Sequence, residues 1–182
     1  MTHRTAYQPG PSGRLSGVIA VSVADLLPHP GQVKRVERDA VLDGLEVSAS
    51  RVPEGAPVHV DLELQAVNDG IVAVGTVRAP WEGACRRCLQ PAGGEVVGEV
   101  QEIYERDPVE GETRQLHDAT VDLTELARDT VLLELPLAPL CDDDCAGLCA
   151  TCGVNRNETT CDCVTELRDP RWAALDDLRL EE

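Results

Sequence analysis

VHVDLELQAV, residues 58 to 67, is the stretch on which the fold turns. Apolar Val58, Val60, Leu62, Leu64 and Ala66 alternate with polar His59, Asp61, Glu63 and Gln65, the period of a strand buried on one face. Asn68-Asp69-Gly70 follows as a turn, with Asp-Gly suited to the positive φ of tight hairpins. IVAVGTVRAPW, 71 to 81, then returns as the partner strand. Working outward, LSGVIAVSV (15 to 23) and the segments 45 to 51 and 95 to 104 read as further strands of an antiparallel meander. Asp25 to Gly31 is a short turn bounded by Pro28 and Pro30, and the acidic, Pro/Gly-marked ERDPVEGETRQLHDA (105 to 119) is a surface loop. Asp122 with Glu125 resembles a capping box. Leu123, Leu126, Ala127 and Val131 follow at helical spacing, and Pro136 ends that helix.

The expected architecture is α+β: an antiparallel β-sheet meander with one packed helix over residues 15 to 140, then a Cys-rich zinc-binding tail over 141 to 182. Residues 1 to 14, polar and rich in Gly and Pro, read as a loose N-terminal tail. Asp169-Pro170 reads as the N-cap and first residue of a short terminal helix with Trp172, Leu175 and Leu178 on one face. With no Phe, and only Tyr7, Trp81, Tyr104 and Trp172 as large rings, the core must be built from Val, Leu, Ile and Ala.

That shortage of aromatics weakens any role in stacking single-stranded bases. The formal net charge of -17 and a single lysine, Lys34, disfavour general attraction to phosphate backbones or anionic membrane. A basic protein partner would be attracted at long range, although the same acidity also serves solubility alone. The sequence contains no HExxH, nucleophile elbow or phosphate-binding glycine loop. His3, His29, His59 and His117 stand alone, so no enzymatic activity and no small-molecule substrate are expected.

Eight cysteines remain to be explained. MTHRTAYQPGPSGR lacks the basic start and apolar run of a signal peptide, and no segment approaches the roughly 20 apolar residues of a membrane span, so a cytoplasmic location with reduced thiols is expected. Six cysteines fall in CDDDCAGLCATCGVNRNETTCDC, 141 to 163. Short pairs of cysteines form knuckles whose sulfurs converge on zinc. Cys149-Ala150-Thr151-Cys152-Gly153 is such a knuckle, its glycine free to turn backbone N–H groups toward the thiolates. Cys161 and Cys163 would complete a site only if the chain bends at Asp162, because residues two apart on a strand sit too far apart. Cys85 and Cys88, as CRRC, with Cys141 and Cys145, as CDDDC, would form a second site joining sheet to tail. The competing parse draws one site from Cys145, Cys149, Cys152, Cys161 and Cys163 and leaves Cys85 and Cys88 free. Other readings are an iron–sulfur cluster, whose usual spacings differ, and a redox pair at CRRC, whose usual βαβ context is missing. Asp142, Asp143 and Asp144 read as a solvated acidic turn or a cation chelate.

Taken together, EGACRRCLQP, VDLTELARDTVLLELPLAPLC, CAGLCATCGVNRN and DPRWAAL resemble the bacterial YceD family over roughly residues 15 to 180. The resemblance implies a role in accumulation of large-subunit (23S) ribosomal RNA, as a ribosome biogenesis factor. Genes of that family commonly neighbour one for a small ribosomal protein of the large subunit. Its CxRCL element matches Cys85, Arg87, Cys88 and Leu89, and some relatives lack most of the terminal cysteines. CRRCL is therefore the expected functional element, with Arg86 and Arg87 as contacts to RNA or partner and Lys34, Arg35 and Arg38 nearby. Two mechanisms follow: direct contact with large-subunit ribosomal RNA, or an acidic adaptor for a basic ribosomal protein. A thiol redox protein using Cys85 and Cys88 is the third.

Overall fold

Strict alternation makes β4 (Val58–Ala66) the centre of a sheet, with its five apolar residues buried and its polar ones turned outward. A computed structural model describes residues 17–163 and Arg171; the tail over 1 to 14 and the helix beginning at Asp169 lie outside the described residues. β5 (Gly70–Ala84) pairs antiparallel with β4 from Ile71 opposite Ala66 to Arg78 opposite His59. β6 (Pro91–Glu105) pairs with β5 along its whole length, so β4, β5 and β6 form the expected meander. Gly70 does not take positive φ. It is needed because a Cβ there would strike the Tyr104 carbonyl of β6.

Around this meander the expectations need correction. β2 (Val33–Ala40) closes one edge by pairing antiparallel with β4, although VKRVERDA offers only Val36 and Ala40 to the core. The expected strand at 15 to 23 shrinks to β1 (Ala20–Ser22), which pairs not with the meander but with β8 (Thr120–Asp122). The strand at 45 to 51 reduces to β3 (Ser50–Arg51), beside the far half of β5. Inside the supposed loop at 105 to 119, β7 (Arg114–Gln115) adds a short parallel contact to β6.

Helix α1 (Thr124–Glu134) buries Leu126, Ala127 and Val131 against β5 and β6. Asp122 Oδ1 accepts the Thr124 N–H at 2.9 Å, but Leu123 occupies the N-cap, one residue later than the capping-box reading. Thr124 Oγ1 accepts the Ile19 N–H at 2.9 Å, tying the start of α1 to the β1 layer. Leu135 is extended, as the residue before a proline tends to be, and the helix stops there. Gly98 lets α1 approach β6, because a Cβ would run into the Thr130 side chain. The core lies between this layer and one sheet face, and each buried Val or Leu in it contributes roughly 1.5–3 kcal/mol. Among the described residues, no helix is long and apolar enough to cross a membrane.

Candidate metal centres

β5 and β6 remain paired as far as Ala84 and Pro91, so residues 85–90 close the hairpin. The CRRC pair is thereby held at the tip of the longest ladder in the molecule. Cys85 N–H donates to the Gln90 carbonyl at 2.8 Å, and Leu89 N–H donates to the Cys85 carbonyl at 2.9 Å. Closing the knuckle this way puts Leu89 at φ 61, the left-handed region, and aims the Arg87 N–H at Cys85 Sγ, 3.4 Å away. The segment 139–148 is laced onto this tip. Arg86 N–H reaches the Pro139 carbonyl at 2.9 Å, and Leu148 N–H reaches the Arg87 carbonyl at 3.0 Å. Gly147, at φ 71, makes the approach possible: a Cβ there would sit 3.1 Å from the Arg87 oxygen.

These bonds bring Cys141 and Cys145 to Cys85 and Cys88. The Cys85 and Cys145 sulfurs are 3.8 Å apart, those of Cys88 and Cys141 are 3.5 Å apart, and all four lie within 4.8 Å of one another. Cys85, Cys88 and Cys145 are buried, with Ala92, Trp81 and Leu140 packed around them.

The second set repeats the knuckle. Cys149 N–H donates to the Val154 carbonyl at 2.8 Å and Gly153 N–H to the Cys149 carbonyl at 2.9 Å, the same two bonds made around Cys85. Gly153, at φ 74, fills the place that Leu89 fills in the first knuckle. Residues 161–163 are not in a strand, and the sulfurs of Cys161 and Cys163 both fall within 4.8 Å of those of Cys149 and Cys152. The two sulfurs thus converge across Asp162, as the spacing required for both to be ligands. Here Cys149 is buried, Cys152 exposed, and Cys161 and Cys163 half-buried.

Four adjacent thiols cannot all ionise without a cation, and the protonation pattern shows it. Burial opposes the charge on Cys85, yet N–H groups from Cys88, Cys141 and Arg87 bring its pKa down to about 6. Burial likewise opposes ionisation of Cys145, which the Asn157 side chain and the Gly147 N–H lower. Cys141 is pushed up to about 12 by the neighbouring Cys88 and Cys145 sulfurs. Although the Gln90 N–H favours its thiolate, burial and the Cys85 and Cys145 sulfurs raise Cys88. In the second set the Cys152 and Thr151 N–H groups lower Cys149 to about 6, while the Cys152 side chain pushes Cys163 up to about 12. Each set is thus a converging group of soft ligands that could hold a metal ion.

The two arginines of CRRC have different surroundings. Arg87 Nη1 donates to the Asp143 carbonyl at 3.1 Å and the Cys145 carbonyl at 3.0 Å, bracing the second cysteine pair. Arg86 is exposed. Lys34, Arg35 and Arg38 are not nearby: Arg38 is level with Val77 and Arg35 with Val74, on the order of 25 Å or more along β5 from Cys85 at about 3.3 Å per residue. Lys34 bonds Asp25, and Arg35 lies 3.0 Å from both Asp61 and Glu37. Asp142 Oδ1 accepts the Asp144 N–H, so the acidic run is a turn, and its carboxylates form no converging ligand group among the described residues. Sequence reasoning overlooked Asn157. Its Nδ2 lies 3.3 Å from Cys145 Sγ and its Oδ1 accepts the Ala146 N–H at 2.7 Å, a supporting bond behind a ligand. The signal was present in GVNRN, directly after the second knuckle.

No solved structure matches the chain. An uncharacterized protein of Mycobacterium tuberculosis is 34% identical over 190 residues, covering 93% of this chain and 86% of that protein. An uncharacterized Mycobacterium leprae protein is 35% identical over 135 residues, covering 68% of this chain and 60% of its own. A chloroplastic Arabidopsis thaliana protein, named Large ribosomal RNA subunit accumulation protein YCED homolog 1, is 26% identical over 160 residues, covering 70% of this chain and 50% of its own. The profile of the family described as Large ribosomal RNA subunit accumulation protein YceD matches residues 73–179, from near the start of β5 through both cysteine sets. With the mycobacterial similarity spanning nearly the whole chain, that match establishes that the chain belongs to the YceD family.

Proposed function

We propose that this chain supports large-subunit ribosomal RNA accumulation as a non-enzymatic, zinc-stapled acidic adaptor that engages a basic ribosomal protein in the cytoplasm. The family description and the plant homologue's name supply the process. One observation carries the choice of adaptor over direct RNA contact: among the described residues, many of the Lys and Arg side chains are engaged within the fold. Lys34 is held by Asp25, Arg35 by Asp61 and Glu37, Arg51 by Glu82, and Arg114 by Glu102 and Asp129. Arg87 and Arg128 are spent on backbone carbonyls. A chain of net charge -17 with its cations so used has little to offer a phosphate backbone.

Zinc is the metal the donor sets fit. Four thiolates about 2.3 Å from zinc lie about 3.8 Å from one another, and the 3.8 and 3.5 Å separations in the first set are close to that edge. Bound there, zinc would neutralise the crowded thiolates and cross-link hairpin to tail. Cys85, Cys88, Cys141 and Cys145 would hold one ion, and Cys149, Cys152, Cys161 and Cys163 the other. Burial of Cys85 and Cys88 beside two further sulfurs argues against a redox pair, which needs an accessible thiolate.

The second reading, RNA contact through CRRCL, draws on exposed Arg86 and on Leu89, 67% exposed despite its left-handed backbone. The test is co-purification of the full chain with large-subunit components, with and without RNase, for wild type and Arg86→Glu. Arg87 is left alone because its loss would disturb the fold. RNase-resistant capture of basic ribosomal proteins, unaffected by Arg86→Glu, is the expected result. Capture that RNase abolishes and Arg86→Glu weakens would replace the adaptor with direct recognition.

A further inference from the structure

Among the described residues, the β2-β4-β5-β6 sheet has one face covered by α1 and the β1–β8 pair, and the other face is open. The register places Val33, Gln65, Val72 and Ile103 in one line across the four strands of the open face. Val74 stands beside that line in the next row, and Val33, Val74 and Ile103 are 48%, 47% and 39% exposed. A solvated sheet face ordinarily alternates to polar residues. Here β-branched side chains gather instead. One row further on, Glu37, Asp61, Thr76 and Glu99 form a second line, with Glu63 between the two. Glu37 and Asp61 are direct cross-strand partners, an arrangement that like charges disfavour and that Arg35 bridges at 3.0 Å from each.

We infer that this open face docks an amphipathic basic segment of a partner protein, laying apolar side chains on Val72, Val74 and Ile103 and Lys or Arg on the carboxylate line. This rests on the adaptor reading above and deepens it by naming the surface. The occupant follows from charge. Outward positions on the four strands include carboxylates at Glu37, Asp39, Asp61, Glu63, Glu95 and Glu99 against the guanidiniums of Arg35 and Arg78. Phosphate is repelled by such a face. A second copy in a two-fold pairing would bring acid against acid, because a two-fold interface presents the same patch from both sides. A cationic segment removes apolar area from water and relieves the crowded carboxylates at once.

The test uses the full chain and, as probe, RNA-free protein extracted from large ribosomal subunits, with zero-length carbodiimide coupling of carboxylates to lysines read by mass spectrometry. Glu37, Glu63 and Glu99 are expected among the coupled positions. Glu63→Lys with Glu99→Lys, and separately Val74→Asp, should each weaken capture by at least about tenfold, a range that charge complementarity at an interface supports. Glu110→Lys with Glu112→Lys, an equal charge change in the 105 to 113 loop, should leave capture within about twofold; metal content and circular dichroism verify each fold. If wild type captures basic proteins but all variants weaken alike, the adaptor reading stands and this face is overturned. If wild type captures only added ribosomal RNA, the adaptor reading fails and the face falls with it. Sedimentation showing a dimer that Val74→Asp dissolves would assign the face to a second copy and overturn the inference.

Discussion

The two cysteine sets close the same two backbone bonds around the same knuckle, yet they do different work. The first has three of its four cysteines buried, is laced to the β5–β6 tip by Arg86 and Arg87, and packs against Trp81, itself in contact with the main core. The second hangs from the first: Cys149 follows Cys145 by four residues, and Cys152 is exposed. A structural zinc site carries an apparent binding energy of about 10–16 kcal/mol, as large as the whole stability of an ordinary domain at about 5–15 kcal/mol. Where that energy is delivered therefore decides what each set holds up. With metal bound, the first would fasten sheet to tail, and the second, among the described residues, would organise the loop from 149 to 163.

The largest expected effect comes from breaking the first set. Cys85→Ser should destabilise the protein by more than about 4 kcal/mol, the range reserved for loss of a metal or a buried network. Thermal unfolding followed by the near-ultraviolet aromatic signal measures it, and a loss no greater than that of Cys152→Ser would erase the distinction. Acid is the next test. At neutral pH, Cys88 and Cys141 in one set and Cys161 and Cys163 in the other are raised above the ordinary thiol value and carry protons that metal must displace. At least two protons released per ion mean that affinity falls by at least about 100-fold for each pH unit lost. The fall steepens below pH about 6, where Cys85 and Cys149 also take up protons. The holo-protein's stability is thus present at neutral pH and above and lost as pH drops; competition against a chromogenic chelator reads the slope.

Cys152→Ser should remove one metal ion while moving the sheet's unfolding by less than about 1 kcal/mol, as for other changes away from the core. Elemental analysis beside the same melt checks both halves. The smallest effect compares the knuckles themselves. Leu89→Gly should stabilise by up to about 1 kcal/mol by relieving the left-handed conformation. Gly153→Ala should instead weaken metal retention by a similar amount, since φ 74 there suits glycine. If Leu89→Gly also lowers large-subunit RNA levels in cells while stabilising the protein, the leucine is kept for contact rather than for the fold.

β4 and β5 were legible because their alternation is a direct imprint of one buried face. β2 was not, because an edge strand gains its place through backbone pairing with β4 and protects itself with charge: Lys34, Arg35, Glu37 and Arg38 hide the period. β7 and β8 span two and three residues, too few to carry any period. Gly70 was read for its conformational freedom, whereas the closeness of Tyr104, a tertiary fact, requires it. The cysteine pairs could be read from spacing, since a knuckle is local. Which pair meets which depended on Pro139 and Leu148 bonding to the hairpin tip, a distance in sequence that spacing does not encode. Arg86 and Arg87 are indistinguishable as neighbours in CRRC, and only the turn decides that Arg87 braces carbonyls while Arg86 faces out.

Stepwise metal removal, followed by native mass spectrometry with the near-ultraviolet signal recorded in parallel, tests the unequal roles of the two centres most directly. Two zinc ions are expected on the reduced chain. A moderate chelator should strip the ion held by Cys149, Cys152, Cys161 and Cys163 with the tertiary signal unchanged, and the ion held by Cys85, Cys88, Cys141 and Cys145 should leave only as that signal collapses. A single ion, intact disulfides in place of metal, or simultaneous loss of both ions with the fold would contradict it.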